Sequence, residues 1–102
     1  MPSTDFRDHL LEQLQDLEFC ATYLTTCYED SETVFLIALR HVIDAHGGIG
    51  KLARNTELNR ESLYRMLSEK GNPKLSSLGL ILDSIGLQLN FIPKSEDSKE
   101  AA

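Results

Sequence analysis

IGKLARNTELNRESLYRMLS, running from Ile49 to Ser68, decides how this chain is read. The spacing predicts a short helix over Ile49 to Asn55, with Leu52 and Ala53 facing inward, the small Ala53 lying where a second helix comes close. Glu57-Leu58-Asn59 interrupts it. Asn59 is placed to cap a second helix from Arg60 to Ser68, whose Leu63 and Leu67, with Leu58 before them, pack it down. Two helices joined by a three-residue turn have the spacing of a helix-turn-helix, in which the start of the second helix enters the major groove of DNA.

That geometry assigns roles. Facing outward on the second helix are Arg60, Glu61, Tyr64 and Arg65. Arg pairs in bidentate fashion with guanine, Glu accepts from cytosine, and Tyr offers a hydroxyl to phosphate and an apolar face to a thymine methyl. These four are the candidate base readers. Lys51, Ser62, Lys70, Asn72 and Lys74 stand at helix starts or in the following turn, where donors reach phosphate and position without specifying. The plainer account is a solvated helical face, with Arg65 and Glu69 at the i, i+4 spacing that stabilises a helix by a few tenths of a kcal/mol. Gly71-Asn72-Pro73 forbids further helix.

Working outward from this unit, Phe6, Leu10, Leu14 and Leu17 with acids between them predict an amphipathic helix opened by Ser3 or Thr4. A second helix begins near Asp16, or continues through it, to Tyr28, where Glu29-Asp30-Ser31 makes a turn. Ser31 caps a third, apolar helix that reaches Ala45 and stops at Gly47-Gly48. A last helix runs from Ser76 or Ser77 to Ile85 and closes at Gly86. Leu87 to Ile92 alternates apolar and polar residues and reads as a half-buried strand. The fold class expected is therefore all-α, a bundle of about five helices with a short C-terminal β-strand. The divisions expected are an N-terminal helical extension (1–30), a DNA-binding domain (31–93) and a disordered tail (94–102).

The 102 residues fit one domain, and 41% hydrophobic with 25% charged residues is ordinary for a soluble globular protein. No apolar run suits a membrane helix or signal peptide, so a cytoplasmic place is expected. Cys20 and Cys27 stand seven apart on one helix face, about 10 Å from each other, too far for a disulfide. They read as buried or half-buried free thiols with no metal role. The net charge of −6 hides a partition. Residues 1–46 hold nine acids and two basic residues, 47–75 three acids and six basic residues, and 76–102 four acids and two basic residues. Screening makes phosphate binding local, so a basic middle on an acidic body still suits DNA. His9, His41 and His46 form no catalytic constellation, and Gly47-Gly48-Ile49-Gly50 lacks the Lys-Ser/Thr of a phosphate loop, so neither enzyme activity nor a cofactor is expected.

The stretch LARNTELNRESLYRMLSEKGNPKLSSLGLILDSIGLQLNF, Leu52 to Phe91, resembles the lambda-repressor-like, or Xre-type, helix-turn-helix domain, and more narrowly the HigA-type addiction-module antidotes of bacterial toxin-antitoxin loci. Leu24 to Gly48 resembles that family's second and third helices. The resemblance implies an antitoxin that represses its own operon as a homodimer on operator DNA and neutralises a toxin of the RelE/ParE superfamily. It places Arg60, Glu61, Tyr64 and Arg65 at the start of the recognition helix, and Asn72 and Lys74 in the backbone-contacting turn. The family often carries Gly before the turn where this chain has Glu57. Leu87, Leu89, Phe91 and Ile92 are the candidate dimer residues, because an exposed strand edge can pair with its own copy across a two-fold axis. The acidic N-terminal third would suit a basic toxin, or serve only solubility. A stand-alone regulator or interaction module without a toxin is the alternative.

Overall fold

Six α-helices make up the core of the described residues, 2–95 of the computed structural model, with side chains from Phe6 onward: α1 (Pro2–Gln13), α2 (Leu17–Asp30), α3 (Glu32–Ala45), α4 (Gly48–Thr56), α5 (Arg60–Met66) and α6 (Leu75–Ile85). Their ends follow from local chemistry. Asp16 caps α2 by accepting from the Glu18 amide at 3.0 Å, so the chain does turn before Leu17 rather than continue as one helix. Ser31 serves two helices: its amide closes α2 on the Cys27 carbonyl at 3.1 Å, and its hydroxyl accepts from the Val34 amide at 3.0 Å to open α3. Gly47, at φ +112°, turns the chain from α3 into α4 through a conformation that costs an L-residue steric strain.

α3 is the central element. Its Leu36, Ala38, Leu39, Val42 and Ile43 are all buried, and it packs against α1, α2 and α4. The same cluster takes Leu14 and Cys20 from the α1–α2 side, Leu52 from α4, Leu63 and Leu67 from α5 and its end, and Ile81 and Leu82 from α6. Burying such a side chain fully is worth about 1.5–3 kcal/mol, so residues from every part of the chain share one source of stability. α4 in turn packs against α5 and α6. Cys20 is buried and Cys27 half-buried, both as free thiols. Burial raises both thiol pKa values, helped by Asp16 near Cys20 and Asp30 near Cys27, which favours the protonated thiol at each.

The C-terminal strand expected over Leu87 to Ile92 is not there: among the described residues the molecule is all-helical. The reason lies in the closure of α6. Gly86, at φ +110°, donates to Asp83 O at 3.1 Å while Leu87 donates to Leu82 O at 2.8 Å, the paired bonds of a Schellman ending. Leu87 is thereby half-buried against its own core, and beyond it the chain meets no second strand among the described residues to ladder with. Alternation of side chains predicts which way residues face; only a partner makes a strand. Of the tail expected from Lys94 onward, 96–102 lie outside the described residues.

Candidate nucleic-acid interface

The junction between α4 and α5 is the three residues Glu57, Leu58 and Asn59. Thr56 braces it, donating from Oγ1 to Leu52 O at 2.7 Å and accepting from the Leu58 amide at 3.3 Å. Glu57 holds φ 62° and ψ 18°, the left-handed cap of α4, and donates to Ala53 O at 2.9 Å. A glutamate there bears a strain that a glycine would not. Asn59 then accepts from the Glu61 and Ser62 amides, at 2.8 and 3.2 Å, and starts α5.

α5 has a buried and an open side. Leu63 and Leu67 are 0% and 1% exposed, and Leu58 and Ala53 are half-buried against the same cluster. Arg60, Glu61, Tyr64 and Arg65 all face solvent, with Tyr64 58% exposed although it is a large aromatic. The four therefore share an accessible surface on one short helix.

Beside them lies an open groove of about 750 Å³ between α5, its following loop and the start of α6. It gathers Ser62, Arg65, Lys70, Asn72 and Lys74, so four of the five expected backbone contacts lie along one channel together with one of the expected base readers. Three cations and one carboxylate, Glu57, line it. Lys51 is elsewhere: it lines a smaller cavity of about 200 Å³ with His46, Asn55 and Ser84, at the start of α4. Leu58, Asn59, Met66, Ser68, Gly71 and Ser77 complete the groove, and none of them is among the DNA contacts expected from the sequence. Gly71 does have a sequence signal, the Gly-Asn-Pro turn, but the reason for glycine is spatial. A Cβ on it would stand 2.1 Å from the Met66 carbonyl oxygen, so only glycine lets the loop close on the end of α5.

Charge follows the partition. Between Phe6 and His46 every carboxylate is exposed, while the two cations each have a partner within the chain: Arg7 pairs with Asp44 at the surface at 2.9 Å and the half-buried Arg40 donates to Leu67 O at 2.5 Å. The six cations from Lys51 to Lys74 are all solvent-facing. Among the described residues no cluster of His, Cys, Asp and Glu is placed to hold a metal ion, and no helix is long and apolar enough to cross a membrane.

Among the described residues, fold and site together define a small all-helical protein whose exposed cations gather mostly on a pair of short helices and the loop that follows them. Residues 5–93 match the family model described as "probable addiction module antidote protein", and the chain belongs to that family. Its role in general is thus that of the antidote in a toxin-antitoxin module, with a toxin as partner. No curated protein and no solved structure matches it significantly.

Proposed function

We propose that this antidote binds operator DNA through α4 and α5 as a lambda-repressor-like helix-turn-helix of the Xre type, represses its own operon as a homodimer, and neutralises a RelE/ParE-like toxin by direct binding. The observation that carries the DNA reading is the placement of Arg60, Glu61, Tyr64 and Arg65 on the open side of α5, next to a groove that carries Ser62, Lys70, Asn72 and Lys74. α5 supplies the base-reading side chains, and the groove follows a phosphate strand. Lys51, at the other end of α4, takes a separate phosphate. The acidic surface of α1 to α3 is left for a basic toxin, because it carries uncompensated carboxylates and lies outside the basic unit.

Dimerisation falls to the extended segment after α6. Leu89, Phe91 and Ile92 are 45%, 90% and 79% exposed, and no charged residue stands between Ser84 and Pro93. A second copy would supply the missing ladder partner and cover these side chains.

The experiment is a titration of the protein against the DNA upstream of its gene, at two salt concentrations, with Arg60→Ala beside the wild type. Specific, salt-sensitive binding that is lost in the variant supports the reading. Binding no tighter than to random DNA overturns it. Co-purification with the neighbouring toxin tests the second arm, and wild-type antidote that leaves a co-expressed toxin behind would count against it.

A further inference from the structure

α5 has seven residues, too few to hold a helix by its own hydrogen bonds, and its last carbonyls have no partner within the helix. Its start is fixed by Asn59. Its end is fixed from three directions. Ser68 donates from its hydroxyl to Arg65 O at 2.8 Å, the Gly71 amide donates to Ser68 O at 2.8 Å, and Arg40 reaches across from α3 to donate from Nη1 to Leu67 O at 2.5 Å. Only the last of these ties α5 to the central helix.

Arg40 is unusual among the cations of this chain. It is half-buried, it stands on α3 between the buried Leu39 and the rest of the core row, and it makes no ion pair among the described residues, where Arg7 with Asp44 is the one pair found. Its guanidinium is spent on a carbonyl at the C-terminal end of α5, the negative pole of the helix, where a cationic donor forms a strong bond. Leu67 itself is buried, so the bond joins two points that are both anchored in the core.

We propose that Arg40 is the positioning residue for the DNA-reading helix, setting the tilt of α5 from behind without touching nucleic acid; this rests on the DNA-binding reading above. The magnitude makes the point. A helix of seven residues is about 10 Å long, so a tilt of about 10° moves its far end by about 2 Å. Hydrogen bonds to base edges tolerate a few tenths of an ångström. Arg60 and Glu61 sit at the end of α5 opposite the Arg40 bond, where such a swing is largest.

The test compares Arg40→Met, which keeps the stem and removes the donor, with Arg40→Lys, which returns a cationic donor, and with Lys74→Ala from the groove. Each is titrated against the upstream DNA over a range of salt. Arg40→Met is expected to lose about tenfold or more in affinity with the wild-type salt slope, Arg40→Lys to recover part of that, and Lys74→Ala to lose affinity with a slope lower by about one released counterion. Affinity within about twofold of wild type in Arg40→Met, or a reduced slope, overturns the proposal, the latter because Arg40 would then be a phosphate contact. Amide exchange without DNA decides the clamp independently of the DNA reading. Faster exchange confined to Leu67 and Ser68 at the end of α5 supports it; a uniform rise across all helices makes Arg40 a general stabiliser and overturns it.

Discussion

His46, the C-cap of α3, lies 2.7 Å through its Nε2 from the carbonyl oxygen of Leu14, thirty-two residues earlier in the chain. A carbonyl only accepts, so Nε2 carries the hydrogen. The Cys20 thiol donates to the same oxygen at 2.9 Å, and Gln15 donates to Ala45 O close by. The turn between α1 and α2 is therefore fastened to the end of α3 by side-chain bonds to main chain, and Leu14, fully buried, is the residue at the knot.

Replacing His46 by Leu removes the nitrogen donor and leaves the Leu14 oxygen to the weaker thiol. The expected cost is about 1 kcal/mol, the net worth of one such bond. Urea unfolding measures it. Because the bond holds α1 locally, amide exchange should also speed up over residues 10–16 before it does in α4 to α6. An unchanged midpoint with unchanged exchange would mean that the bond carries no weight.

Glu57→Gly is expected to stabilise the protein. The left-handed conformation costs a non-glycine residue about 1–2 kcal/mol, and glycine gives part of that back through a more flexible unfolded chain. The net gain should be about 1 kcal/mol, which for a domain of this size raises Tm by about 4–8 °C. The same change removes the one carboxylate of the basic groove, so affinity for DNA should rise together with Tm. A lower Tm would show that Glu57 makes a compensating interaction.

Much of this was legible in the sequence, and what was not has a common cause. Ser31 and Asn59 announce their helices because a cap is a local bond, spanning two or three residues. The three-residue junction at Glu57 to Asn59 and the inward row Leu52, Leu58, Leu63 and Leu67 follow from period and punctuation, and so does the open face of α5. The Arg40 bond to Leu67 spans twenty-seven residues and has no spacing to betray it. The mistaken strand fails for the mirror-image reason: Leu87 to Ile92 has the right alternation, but pairing depends on another segment, and none among the described residues provides it. Lys51 was grouped with the groove residues by its charge and its place at a helix start; which side of α4 it serves is set by packing.

Stability should fall as pH drops below about 6.5, and His41 should be a cause. Burial lowers its pKa from 6.5, and Arg7 pushes the same way against the opposing pull of Asp44. Its Nδ1 is hydrogen-bonded with the Tyr23 hydroxyl at 2.9 Å, an arrangement suited to the neutral ring. With the folded value depressed, the unfolded chain takes up the proton first. The contribution is complete above the unfolded value and lost as pH falls through the folded one. His41→Gln, which keeps a polar partner for Tyr23 but does not titrate, should flatten the unfolding free energy between about pH 7.5 and 5. A variant whose profile parallels the wild type would assign the acid sensitivity to the carboxylates instead.

The segment beyond α6 yields the sharpest prediction for assembly. Leu87 is drawn back against the core, so the side chains free to meet a partner are Leu89, Phe91 and Ile92, and Phe91 at 90% exposure has the most to gain from being covered. Phe91→Lys should convert a concentration-dependent dimer into a monomer in sedimentation velocity, because a pair of lysines facing each other across a two-fold axis adds repulsion to the lost apolar area. Unfolding of the monomer at low concentration should be unchanged, since Phe91 lies outside the buried cluster. DNA affinity should drop with the dimer, as two linked helix pairs bind with an effective concentration that one alone lacks. A wild-type protein that stays monomeric at every concentration would remove the dimer and leave each α5 to bind DNA singly.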